Sequence, residues 1–206
     1  VVMLAEDSIS AATAWLFALS YTLQLYFDFS AYSDMAIGLG AMFGFTLPRN
    51  FKTPYISRNL SEFWKRWHIT LSRFFRDYLY IPLGGSRNGV IKSLRNIIII
   101  FIVSGLWHGA NWTFIIWGMI HAIMFIPLFV TGNNRKHTTK VCCYDKRLPS
   151  FKELIQISTT FFITTITWVF FRSASVSDAL FYLNTMITNL SIPSQSESGM
   201  VFVFLI

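Results

Sequence analysis

Residues 96–130 read "NIIIIFIVSGLWHGANWTFIIWGMIHAIMFIPLFV", two apolar runs separated by the short polar knot His108-Gly109-Ala110-Asn111. The first run, 96–107, amounts to roughly 18 Å of helix against a hydrocarbon core of about 30 Å, so alone it is too short to span a membrane. The second run is long enough to return. A histidine and an asparagine between such runs fall within bilayer depth, where broken or re-entrant backbone is tolerated only against protein or a cavity. The pattern predicts an all-α, polytopic membrane protein with a helical bundle, short or re-entrant helices, and His108 inside it.

Composition supports that class. Of 206 residues, 53% are hydrophobic, 17% aromatic and only 13% charged, about half the charged share of soluble domains. The net charge of +7 comes from two basic blocks that flank apolar spans. Residues 48–95 carry ten of the seventeen Lys and Arg, and a second block occupies 135–152. Basic loops beside spans are expected on the cytoplasmic side, which puts both blocks on one face. No arginine-rich recognition element or stacking module accompanies the charge, so nucleic acid is not an expected partner. Cys142 and Cys143 are neighbours in the basic loop 131–152, unable to bridge easily and without CxxC spacing; they are expected to be reduced and cytosolic. The chain begins at Val1 without a basic leader and stops in the apolar "VFVFLI", so 1–206 reads as a central to C-terminal fragment of one membrane domain.

Upstream, an apolar run at 11–27 is interrupted by "DFSAYSD" and followed by "MAIGLGAMFGFTL". Asp28 and Asp34 thereby sit near membrane depth, where a carboxylate is costly unless it faces a partner or a watery cavity. They read either as substrate-binding groups or as helix caps paired with Arg49 or Arg58. Residues 58–80 predict an amphipathic interfacial helix: Glu62, Lys65, Arg66, Arg73, Arg76 and Asp77 share one arc, with aromatics on the other. His68 falls on the apolar side, where a satisfied core histidine is the plainer reading. The glycine-rich "PLGGSRNG" offers backbone amides and Arg87 to a phosphate, or is simply a loop. Residues 153–171 predict a further span ending at Arg172, followed by a polar, weakly helical stretch to Gly199 and the start of another span.

An imidazole is the side chain best suited to take a proton from a hydroxyl near neutral pH. Asn111, Trp107 and Trp112 are placed to orient the His108 ring or stack on a substrate, and Gly109 allows close backbone approach. The competing reading is a histidine that joins two helices by a hydrogen bond. Neither His108 nor His121 has a second ligand at helical spacing, so no metal site is expected. No GxSxG elbow supports serine hydrolysis.

Three stretches, "YFDFSAYSDMAIGLGAMFGF", "NFKTPYISRNLSEFWKRWHITLSRFFRDYLYIPLGGSR" and "SGLWHGANWTFIIWGMIHA", resemble the successive signatures of membrane-bound O-acyltransferases, in the branch of alginate O-acetylation. The resemblance covers about Tyr26 to Ala122. It implies a multi-pass fold of ten or more helices in the cytoplasmic (inner) membrane, with His108 matching the family's catalytic histidine and His68 its second active-site histidine. It further implies an acetyl group, supplied by acetyl-coenzyme A as substrate and with no bound cofactor. The group would pass from the cytoplasmic side toward hydroxyls of an extracytoplasmic polysaccharide, with a periplasmic or extracellular acetyltransferase as partner and membrane lipid around the chain. His108 would act as base, with His68 or Asn111 positioning the donor carbonyl. The related transfer of D-alanine to teichoic acid, from an acylated carrier protein, is the alternative. A non-catalytic conduit or scaffold for a partner enzyme is a third reading.

Overall fold

The computed structural model describes residues 9–135 and 148–190. The chain enters its first helix, α1 (Ala11–Met42), through Ser10, whose hydroxyl accepts from the Thr13 amide at 3.2 Å. This helix does not stop at "DFSAYSD". It runs unbroken for 32 residues, because the side chains of exposed Asp28 and Asp34 and of buried Ser33 break no backbone hydrogen bond and neither Gly nor Pro intervenes before Gly38. It ends where Gly44 adopts φ +80° and the Phe45 amide closes back on the Gly40 carbonyl at 2.8 Å, a left-handed glycine termination.

The expected single helix over 58–80 is three pieces: α2 (Leu60–Trp64), α3 (Ile69–Phe75), and a π-turn at Arg76–Tyr80. Its charged arc does not simply face outward. Glu62 and Arg66 are 1% and 5% exposed, since Glu62 is paired with both Arg58, at 3.0 Å, and Arg66. Arg58 reaches on to Glu153 at 3.1 Å. A helical wheel assumes one uninterrupted axis and a solvent for every charge; here ion pairing takes two of those charges inside.

Helix α4 (Val90–His108) begins beyond Gly89 and includes Lys92 and Arg95 in its first turns, so it is 19 residues rather than twelve, roughly 28 Å. With α5 (Trp112–Val130) it makes an antiparallel hairpin closed by three residues. His108 therefore stands at the end of a helix long enough to cross a membrane, not at the end of the short run 96–107. Helix α6 (Phe151–Arg172) starts at a capping box between Ser150 and Glu153. Helices α4, α5 and α6 are each long and apolar enough to cross a membrane. The stretch read as weakly helical forms α7 (Val176–Thr188), capped by Ser175. Most of loop 131–152, including Cys142 and Cys143, and the final apolar run lie outside the described residues.

Close approach sets the packing of the hairpin. A Cβ on Gly105 would collide with the Phe114 carbonyl, and one on Gly118 with the Phe101 carbonyl. Beside this seam the core is aromatic: Trp117 stacks on Trp168 at 5.6 Å, Trp168 lies 5.2 Å from Trp67, and Trp67 stacks on Phe63 at 5.6 Å. Helix α1 joins α6 and α7 through its first half, where Tyr182 donates to the Ala14 carbonyl at 2.7 Å and Trp15 to that of Met186 at 3.1 Å.

Gly105→Ala or Gly118→Ala is expected to cost about 1–3 kcal/mol or more, because backbone rather than a flexible side chain must yield. Glu62→Ala is expected to cost about 3–5 kcal/mol by removing the carboxylate shared by two buried guanidinium groups. Thermal unfolding of the purified protein in detergent checks both.

Candidate active site

His68 follows the break after α2 and occupies the left-handed region, φ 43° and ψ 58°, uncommon for any residue but glycine. It stands at the N-cap position of α3, yet its side chain makes no capping bond. The ring instead lines a cavity, edge-on to Phe29 at 4.8 Å and 6.2 Å from Trp107, with Nδ1 buried and unpartnered. Burial pushes its pKa below the ordinary 6.5, which keeps the ring neutral and able to accept a proton near pH 7.

His108 closes α4, and the chain leaves it through Gly109 at φ +155°. Its ring is held by aromatic edges: Trp107 at 4.9 Å, Trp117 at 5.4 Å and Phe171 at 4.9 Å. Residues from α4, α5 and α6 thus fix one imidazole without a single charged neighbour among those rings. The two histidines, forty positions apart in sequence, line the same cavity of about 230 Å³. On α4 the cavity wall is Ile97, Ile100, Phe101, Ser104 and His108, one helical face some 16 Å long. Arg76, Tyr80 and Asn134 also line it. Such a space, lined mainly by apolar and aromatic side chains with a few polar groups, suits a largely apolar ligand arm.

The remaining sequence candidates lie elsewhere or serve other ends. Trp107 is within ring contact of both histidines though 56% exposed. Trp112 is 71% exposed and does not line the cavity. Asn111 is the N-cap of α5: its Oδ1 accepts from Thr113 at 3.1 Å, and its Nδ2 donates to the Ala174 carbonyl at 2.8 Å. Both ends of that amide are occupied, tying the α4–α5 turn to the α6–α7 connection. Asp28 and Asp34 are exposed on α1 outside the cavity wall, and Arg58 pairs with Glu62 and Glu153 instead of either. Arg87 is exposed too. The amides of Leu83, Gly84, Gly85 and Arg87 are spent on carbonyls of Leu79, Ile81, Tyr80 and Gly84, while buried Asn96 grips the Leu83 and Gly85 carbonyls at 3.2 and 3.0 Å. That loop is a closed structural turn and not an open phosphate cradle.

Sequence reasoning passed over Ser104, Trp64 and Asn134 on the cavity wall. Ser104 had a signal, lying four residues before His108 on the same helical face. His121, wholly buried against Trp64 and Trp117 at 5.0 Å each, does not line the cavity.

Two motif histidines at the wall of one cavity in a helical membrane bundle agree with what comparison finds. Residues 3–173 match the profile of MBOAT, the membrane-bound O-acyltransferase family. The chain belongs to that family. Among its relatives, a peptidoglycan O-acetyltransferase of Helicobacter pylori is 44% identical over 180 residues, 87% of this chain and 32% of that protein. A probable alginate O-acetylase of Pseudomonas syringae is 50% identical over 163 residues, 79% of this chain and 29% of the relative. A teichoic acid D-alanyltransferase of Bacillus subtilis is 34% identical over 116 residues, 53% of this chain and 29% of that one. This MBOAT chain thus spans about a third of the length of the curated relatives it matches.

Asn111→Ala is expected to destabilise the protein by about 1–2 kcal/mol, the worth of an N-cap. Asn111→Asp keeps the cap and loses only the donor to Ala174, so its melting temperature in detergent should fall between those of the parent and Asn111→Ala.

Proposed function

We propose that this chain carries the reaction centre of an O-acyltransferase that moves an acetyl group from a thioester donor to a hydroxyl of an extracytoplasmic polysaccharide. The observation that carries the proposal is the convergence of His68 and His108, from separate helices and separate motifs, on one narrow, mostly apolar cavity. The names of its relatives support acetyl as the group: one is a peptidoglycan O-acetyltransferase and the other a probable alginate O-acetylase. The multi-pass setting in the cytoplasmic membrane, the donor acetyl-coenzyme A, and a periplasmic or extracellular acetyltransferase as partner belong to the same proposal.

In the transfer step the acceptor hydroxyl oxygen attacks the thioester carbonyl carbon. A C–O bond forms, the C–S bond breaks, and the hydroxyl proton passes through His108 to the leaving thiolate. His68, neutral and facing the same cavity, holds the carbonyl or the hydroxyl in line. The donor enters beside Arg76 and Asn134, both of which line the cavity. There Lys65 of the first basic block donates to the Asn134 carbonyl at 3.1 Å, and cationic side chains there suit an anionic donor.

His108→Ala is expected to lower acetyl transfer at least about a hundredfold, the usual worth of a general base, with normal yield and membrane insertion. Release of free thiol from donor thioester by the purified full-length protein checks it, and undiminished release in the variant would remove His108 from the step. A D-alanyl thioester on a carrier protein, offered in the same assay, tests the alternative donor. The burial-depressed pKa of His68 predicts that kcat/KM stays level as pH falls from neutrality through 6.5 and declines only below it. An exposed imidazole is already half protonated at about pH 6.5, so a decline centred there overturns the assignment.

A further inference from the structure

His68 presents a local problem. A favourable N-cap residue bonds its own side chain to the first free amides of the helix, and a histidine that did so would have one ring nitrogen committed and its ring turned to the helix end. The left-handed backbone also costs energy, persisting only where the surroundings over-determine it. Both demands are met from a segment eighteen residues upstream. The Ile69 amide donates to the Asn50 carbonyl at 2.9 Å. The Thr70 amide and hydroxyl both donate to Asn50 Oδ1, at 3.3 and 2.5 Å. On the other side of His68, the Lys52 amide donates to the Arg66 carbonyl at 3.0 Å. Between them Phe51 packs edge-on against Trp67 at 5.1 Å and against Phe29 at 4.9 Å, and Phe29 in turn meets the His68 ring. Residues 50–52 therefore form a clip that brackets the His68 turn on both sides.

We propose that Asn50 is the positioning residue of the active site: it caps α3 in place of His68, holding that residue left-handed so that the imidazole is turned into the cavity. This rests on the acyl-transfer reading. What Asn50 supplies from its side chain is an acceptor oxygen, which Asp also has and Ala lacks. Asn50 acts through His68 and takes no part in the bond changes, so its loss should strike turnover more than donor binding.

The test uses the full-length protein, with rates counted per monodisperse molecule. Asn50→Ala is expected to lower kcat about 10- to 100-fold, as for a displaced catalytic group, with the donor KM changed by less than about threefold. Asn50→Asp is expected to recover most of that kcat. Equal losses in Asn50→Ala and Asn50→Asp, a change confined to KM, or a parental kcat in Asn50→Ala would each overturn the proposal. Should Asn50→Ala not fold, Thr70→Val removes one of the two donors to the same oxygen and must show a smaller kcat loss; a parental kcat there overturns it equally. His68→Ala, run alongside, separates the two levels. If that variant is inactive while Asn50→Ala is not, only the positioning role falls. If His68→Ala turns over like the parent, the part given to His68 in transfer falls and takes Asn50 with it.

Discussion

The backbone contact between α4 and α5 is the constraint on which the rest of the structure depends. In a lipid setting apolar side chains gain little by leaving the solvent for each other, so helices associate through packing and close backbone approach. Gly105 and Gly118 give that approach, each lying against a carbonyl of the opposite helix. Because the hairpin is this tight, the end of α4 is fixed relative to α5, and His108 comes to rest on Trp117. The Trp117–Trp168 stack then transmits the position to α6, and Trp67 links the same stack to the turn that presents His68. A glycine seam thus sets the geometry of two histidines that it does not touch.

The polar groups inside the bundle divide by what they hold. Glu62 gathers two arginines and, through Arg58, the start of α6. Asn96 locks the glycine loop, and Asn111 locks the outer turn of the hairpin to Ala174. Threonines of α6 return their hydroxyls to their own helix, as Thr164 does to the Thr160 carbonyl at 2.7 Å. Each satisfies itself within the protein, as groups away from water must. The aromatic core is different: His68 Nδ1, both nitrogens of His121 and the indole nitrogens of Trp64, Trp117 and Trp168 are buried without a hydrogen-bond partner, and of these rings His68, with His108, lines the cavity.

The helical class and the α4–α5 hairpin were legible in the apolar runs, and His108 stood out because a histidine between such runs is conspicuous. What failed did so for tertiary reasons. "DFSAYSD" looks like a boundary only if polarity ends helices, and α1 shows that it does not while the backbone stays bonded. The wheel over 58–80 could not foresee the left-handed break at His68, since the bonds that stabilise it come from Asn50. Nor could it foresee that Arg66 turns inward to Glu62. Asn111 and Arg87 carried the right chemistry for a site, but one is consumed as a cap and the other lies on an exposed loop away from the cavity.

The stretch Arg58–Lys65, which contains the short helix α2, also bonds residues at both flanks of the second basic loop. Near its start, the Asn134 carbonyl accepts from Ser61 at 2.8 Å and from Lys65; just beyond its end, Glu153 meets Arg58. The ends of the segment are pinned to one support like the two ends of a handle. The two described flanks of the loop thus meet one support, so α5 and α6 are joined there by side-chain bonds as well as by the chain that runs between them.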